Sequence, residues 1–252
     1  GFEGIFMGAF IIFFAYIGFD AIATAAEETK NPQKNLPIGI IGSLAACTVV
    51  YVLVGLVLTG MVPIGQIDTH APIAHAMRAV GQDWVAGLIS LGALTGLTSV
   101  LLVLMLAGTR ILFAMSRDNY LPSILKTVHK KFKTPHIITI MVALICILGS
   151  MFLNISTAAE LCNFGTFTSF IIVCIAVIIL RKTDPERPRP FRVPFSPLFP
   201  IFGVLCCGGL MIYSMQFLTT SRFLFPLWLV LGVLIYFSYG YKKQRKVEKD
   251  EK

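Results

Sequence analysis

A chain of 252 residues that is 56% hydrophobic and only 13% charged, with a mean hydropathy of +0.80, lacks the polar sequence needed to coat a soluble domain and reads as a polytopic membrane protein. The formal net charge of +8 does not describe a nucleic-acid surface, because the basic residues cluster between apolar stretches. All but Arg78, Arg110 and Arg222 of the 21 Lys and Arg fall after the first, third, fifth and last spans, so the positive-inside rule puts the first residues outside and the basic tail in the cytoplasm.

Seven stretches approach or exceed the roughly 20 residues that a membrane crossing needs. They lie at about Ile5–Ala26, Leu36–Val62, Trp84–Met115, His136–Leu153, Ala158–Leu180, Leu198–Thr219 and Phe223–Tyr241. The first carries FFAYIGFDAIATAAEETKNP over Phe13–Pro32, an apolar run with a glycine and a carboxylate in its middle and a proline stop. An ionised acid at the centre of a spanning helix costs about 3 kcal/mol on insertion scales, so Asp20 is expected to face a polar cavity or a partner. Gly18 tolerates backbone angles closed to other residues, which makes Ile17-Gly18-Phe19 the expected point of unwinding. Non-helical backbone survives at that depth only where it lines a cavity. A broken helix bearing an acid is the pattern of a transport site.

An outer half over Ile5–Ile17 and an inner half from Ala21 to about Thr29 are expected, with Asn31-Pro32 ending the helix. Asp20 would cap the inner half by accepting from its freed amides, a structural role compatible with a binding one. Phe14, four residues before Gly18, falls on the same helical face and reads either as core or as an aromatic over the cavity. Unwinding would strip the carbonyls of residues 14 to 17 of their helical partners and leave acceptors for an ammonium group.

Pro72 suggests a short helix before the third span, with Met77, Val80 and Trp84 at near-helical spacing. In the third span Thr95, Thr98 and Ser99 share a face, and Gly92 and Gly96 are spaced for close helix contact. Hydroxyls in spans commonly bond back to their own helix, so an ion or substrate role for this face competes with that ordinary one. Met105 reads as cavity lining or as packing. Arg110 can snorkel or pair with an acid, for which Glu27 and Glu28 are candidates, and the pair would form an inner gate. Asn163, Thr166 and Ser169 or Phe170 give the fifth span a mildly polar stripe. The last two spans are apolar all round and read as lipid-facing or oligomer-facing. The linker over Lys182–Pro200 is rich in proline and basic residues, as suits a stiff connection. Six cysteines fall inside spans, and four histidines lack ligand spacing, so no metal site, disulfide or cofactor is expected.

At the segment around Asp20, again at GTRILFAMSRDNYLP and at RPRPFRVP, the sequence resembles the amino acid permeases of the APC superfamily, nearest to the cationic amino acid transporter branch and its bacterial relatives. The resemblance covers essentially the whole chain and implies an all-α membrane protein of the LeuT-like fold. It maps the seven spans onto the sixth to twelfth of twelve helices. Residues 1–181 would form the second five-helix inverted repeat with its first span broken at Gly18, 182–200 a cytoplasmic linker, 201–241 two extra helices and 242–252 a basic tail. The absence of an initiator Met, the external start and the odd number of spans fit the same expectation of a chain whose earlier helices are missing. By resemblance, substrate contact falls on Phe14, Ala15, Ile17, Gly18, Asp20 and Met105, with Phe14 as outer lid. Thr98 and Ser99 lie where sodium-coupled relatives hold an ion. The implied function is a plasma-membrane permease working by proton symport and alternating access, for a cationic or small neutral amino acid. Its expected partners are substrate, protons, the lipid bilayer and the missing helices, with no nucleic acid. An amino acid exchanger remains an alternative. A seven-helix receptor is disfavoured by the broken first span and by the absence of loop cysteines. No constellation within the spans supports an enzyme.

Overall fold

The protein is described by a computed structural model over residues 1–241 and 243, apart from 69, 190 and 194. Except for Lys243, the tail expected over 242–252 lies outside the described residues. Among the described residues the regular structure is entirely helical, with nine α-helices: α1 Phe2–Phe13, α2 Ala21–Thr24, α3 Pro32–Met61, α4 Pro72–Ala79, α5 Asp83–Arg117, α6 His136–Phe152, α7 Ile155–Thr183, α8 Leu198–Met215 and α9 Thr219–Ile235. Among the described residues six segments are long and apolar enough to cross a membrane: Phe2–Thr24, Pro32–Met61, Asp83–Arg117, Ile155–Thr183, Leu198–Met215 and Thr220–Gly240. The remaining expected span, α6, has 17 residues. At about 1.5 Å per residue it reaches about 25 Å, the lower limit of a crossing.

The chain forms two compact units, one of Gly1–Ile17 with Thr109–Lys252 and one of Gly18–Gly108. In the first, α1 packs on α7 and α8, and α7 packs on α8 and α9. Phe10, Phe164, Phe167 and Phe225 make its buried centre. The Phe10 and Phe164 rings lie 5.3 Å apart and Phe164 stacks on Phe225 at 5.4 Å, separations at which aromatic pairs gain beyond simple burial. Phe225 belongs to α9, so the last helix contributes to this core as well as facing outward. The expected outward face is present as well, with Phe202, Leu205, Leu227 and Trp228 exposed. A uniformly apolar helix carries no mark of which side is covered, and the packed partner decides. Helices α7 and α8 approach through glycine: a Cβ at Gly203 would stand 3.1 Å from Cys174 Sγ, a contact tighter than ordinary packing.

After α7 the chain is folded back by arginine. Arg189 donates from Nη1 to the Pro185 carbonyl at 3.0 Å and from Nη2 to the Leu180 carbonyl at 3.0 Å, and Arg181 reaches the Val193 carbonyl at 3.3 Å. A guanidinium is well suited to the orphan carbonyls at a helix C-terminus. The linker thus owes its shape to cationic capping in addition to proline stiffness.

In the second unit, α2 packs on α3, and α4 lies along the last turns of α3. Pro72 occupies the first turn of α4, as expected. The helix ends at Ala79, however, and Gly81 follows with a φ of 77°, so Trp84 belongs to α5. Helix α4 turns Ile73, Ala76 and Met77 toward Leu53, Val54, Val57, Leu58 and Met61 of α3, lining an open apolar cleft of about 230 Å³. Among the described residues nothing comes within 4 Å of a Cβ built at Gly92 or Gly96, so they do not make the close contact expected there.

Candidate functional site

The break in the first span falls where the sequence placed it. Helix α1 ends at Phe13, and Phe14–Tyr16 tightens into a 3₁₀ turn. Ile17 then takes extended angles, φ −60° and ψ 128°, and Gly18 a φ of 125°, a region that only glycine enters without strain. The Gly18 carbonyl accepts from the Ala21 amide at 3.0 Å, which restarts the chain as α2.

Several details differ from the expected ones. The Phe14 carbonyl keeps a partner, accepting from the Ile17 amide at 3.3 Å, because the 3₁₀ turn shortens the ladder by one residue. Phe14 is 43% exposed, but the extended Ile17 interrupts the helical spacing on which its shared face with Gly18 depended. Asp20 stands at the N-cap of α2 without bonding the α2 amides ahead of it. Its Oδ1 instead accepts from the Gly18 amide behind it, at 3.3 Å. The carboxylate therefore braces the break itself. The inner half is also shorter than expected: α2 is a single turn, Ala25 leaves the helical region, and Ala26–Glu28 forms a 3₁₀ turn before Thr29 extends. Asn31 is left-handed, φ 49°, immediately before Pro32.

Ala15 is exposed, and Ile17, Gly18 and Asp20 are half-buried. Ala15, Ile17 and Phe14 belong to the first unit, whereas Gly18, Asp20, Thr98, Ser99 and Met105 belong to the second. Within the second unit the Gly18–Asp20 contact joins two expected site residues. On α5, Thr98 and Ser99 are exposed and Met105 is half-buried. The Thr98 hydroxyl donates to the Leu94 carbonyl at 2.9 Å, the ordinary back-bond of a spanning hydroxyl. Glu27 and Glu28 sit in the 3₁₀ turn of the second unit, and Arg110 on the part of α5 that belongs to the first.

A second polar locus lies in the first unit. Because the Phe14 amide bonds to the Ile11 and Ile12 carbonyls, the 3₁₀ turn draws it off the Phe10 carbonyl. That carbonyl accepts instead from Asn163 Nδ2 of α7, at 2.7 Å. Asn163 is 1% exposed, so α1 is pinned to α7 just before its break by a buried side chain. Thr166 and Ser169, expected in the same stripe, are half-buried and exposed respectively, and both bond to their own helix. One turn before Asn163, Glu160 accepts from the Ser221 hydroxyl of α9, and Ser221 is fully buried. Sequence reasoning passed over Glu160, although an acid inside an apolar run is the same signal that singled out Asp20.

The described residues, helical with six membrane-competent segments, one of them discontinuous with backbone unwound beside an acid, are arranged as in secondary transporters. Residues 1–236 match the family model described as amino acid permease, and the chain belongs to that family, whose members are transporters rather than enzymes. It is 46% identical over 242 residues to the methylthioribose transporter of Bacillus subtilis (strain 168), covering 96% of this chain and 52% of that one. It is 43% identical over 246 residues to the branched-chain amino acid permease BcaP of the same organism, covering 97% and 52%. It is also 39% identical over 191 residues to the vacuolar cationic amino acid transporter 2 of Arabidopsis thaliana, covering 75% and 30%. The chain spans about half the length of the two bacterial relatives.

Proposed function

We propose that this chain forms the part of an amino acid permease that carries the discontinuous helix of the substrate site. The unwound backbone at Ile17 and Gly18, in a chain of the amino acid permease family, carries this reading. In it, backbone groups at the break hold the α-ammonium or α-carboxylate of the substrate. Phe14, Ala15 and Met105 contact the rest of the molecule, and Thr98 and Ser99 stand at the ion-site position. Glu27, Glu28 and Arg110 supply the charges of an inner gate. Residues 1–181 act as one five-helix repeat and 201–241 as two accessory helices, with the linker and tail on the cytoplasmic side of the plasma membrane. Transport proceeds by alternating access, driven by a proton gradient.

The side chains at the break, Phe14, Ala15, Ile17 and Phe19, are apolar or small, and the carboxylate beside them is engaged by the Gly18 amide. This favours a neutral substrate over a cationic one. The 46% identity to a protein named for methylthioribose supports a second reading, in which the same backbone holds a neutral thio-sugar.

The test is uptake of labelled alanine, leucine, arginine and methylthioribose by the full-length protein in proteoliposomes, with and without an inward proton gradient. Gradient-stimulated uptake of a neutral amino acid is expected. Uptake of methylthioribose alone would favour the second reading, and uptake of arginine alone would remove the argument from Asp20. Asp20→Asn keeps an oxygen for the Gly18 amide and removes the charge. The variant is expected to stay folded and to lose most of the gradient stimulation; unchanged affinity with unchanged pH dependence would exclude Asp20 from coupling.

A further inference from the structure

Between the end of α5 at Arg117 and the start of α6 at His136 the chain turns at one end of two apolar helices, so this connection lies at a membrane surface. It is ordered by its own hydrogen bonds. The Ser116 hydroxyl donates to the Pro122 carbonyl at 2.8 Å. The His129 amide donates to the Thr134 carbonyl at 2.9 Å and the Lys133 amide returns to the His129 carbonyl at 2.8 Å. His129 Nδ1 accepts from the amides of Lys131 and Phe132 at 3.2 and 3.3 Å. Buried Leu125 and Ile138 anchor the two flanks.

This ordered turn presents a particular surface. Lys126, Lys130, Lys131 and Lys133 are all exposed, and the sequence from Asn119 to Pro135 contains no acid. Among the lysines stands Phe132, 66% exposed, with Lys131 Nζ 5.6 Å from its ring centroid and the His129 ring 5.0 Å away. A large ring held outward by a hydrogen-bonded turn is costly in water and favourable at the boundary between headgroups and acyl chains. Ammonium groups at that depth meet phosphates, and their flexible stems let the charge stay in the headgroup layer while the ring goes deeper.

We infer that the turn over Lys126–His136 is a binding site for anionic phospholipid headgroups, with Phe132 seated in the membrane interface and Lys130, Lys131 and Lys133 on the phosphates. The site is independent of the transport reading, since it requires only that α5 and α6 span the bilayer.

The test uses the full-length protein carrying Phe132→Trp in phosphatidylcholine vesicles that contain a small fraction of brominated phosphatidylglycerol or, in parallel, brominated phosphatidylcholine. Fluorescence is read as the difference from the parent, because this chain already contributes Trp84 and Trp228. Brominated phosphatidylglycerol is expected to quench the new tryptophan more strongly. Each of Lys130→Gln, Lys131→Gln and Lys133→Gln is expected to lower that preference by about fivefold, and high salt to weaken it in the parent protein without any substitution. Equal quenching by the two lipids would overturn the headgroup selectivity. No quenching by either would show the ring covered by protein or turned to water, and would overturn the site altogether.

Discussion

Replacing Gly18 with alanine is expected to cut the initial rate of uptake by about tenfold or more and to lower the thermal midpoint by several degrees. The φ of 125° at Gly18 is the cause. A side chain forced to hold such an angle costs on the order of 1–3 kcal/mol, and about 1.4 kcal/mol corresponds to a factor of ten. Among the described residues nothing stands within 4 Å of a Cβ at this position, so the expected effect comes from the backbone. Gly8→Ala is the control. Gly8 lies inside α1, also with nothing within 4 Å of an added Cβ, and alanine is preferred over glycine within a helix. That variant is expected to transport and melt like the parent. Equal behaviour of the two variants would mean that the break can be held without its left-handed residue, and the site geometry would lose its basis.

The second large effect is expected at Asn163. Leucine at this position keeps the bulk and removes the donor, leaving the Phe10 carbonyl buried without Nδ2. An orphaned buried acceptor costs about 1–3 kcal/mol, and the loss also frees the end of α1 from α7 one turn before the break. Asn163→Leu should therefore lower the thermal midpoint by a few degrees and reduce uptake more than it reduces stability. Thr166→Val is the matched comparison, because Thr166 is half-buried and its hydroxyl donates to the Cys162 carbonyl of its own helix. Changes that remove only a back-bond within one helix cost about 0.5 kcal/mol. An Asn163→Leu variant that melted together with the Thr166→Val variant would show that the Phe10 carbonyl finds another donor.

The two predictions are connected through the geometry of the break. Tightening of Phe14–Tyr16 into a 3₁₀ turn draws the Phe14 amide toward Ile11 and Ile12 and exposes the Phe10 carbonyl to Asn163. Extension of Ile17 then hands the chain to Gly18, whose amide is held by Asp20. The Phe10 carbonyl and the Gly18 amide are thus each met by a named side chain, which is how a span remains stable with its backbone unwound.

Much of this was legible in the residues. Runs of apolar sequence fix the spans, because the thickness of a bilayer sets their length and its lack of water demands helices. The unwinding at Ile17-Gly18 was legible for a similar reason: a glycine beside an acid is expensive in an intact span, and Pro32 sets where the segment must stop. What Asp20 holds was decided by tertiary structure, since a carboxylate flanked by free amides on both sides has two choices and only the path of the backbone selects Gly18. The shortening of the inner half to Ala21–Thr24 was likewise invisible, as Ala, Ile and Thr in this stretch carry no stop signal before Asn31. The pairing of Glu160 with Ser221 and of Asn163 with Phe10 joins residues far apart in the chain, and periodicity along one helix says nothing about the element packed against it. The sequence by itself determined an all-helical membrane protein, its spans and the place of its break, because bilayer and backbone chemistry act locally on each segment. Tertiary structure alone decided which carbonyls and carboxylates are occupied and which apolar faces are covered, because those depend on partners that the chain meets only once folded.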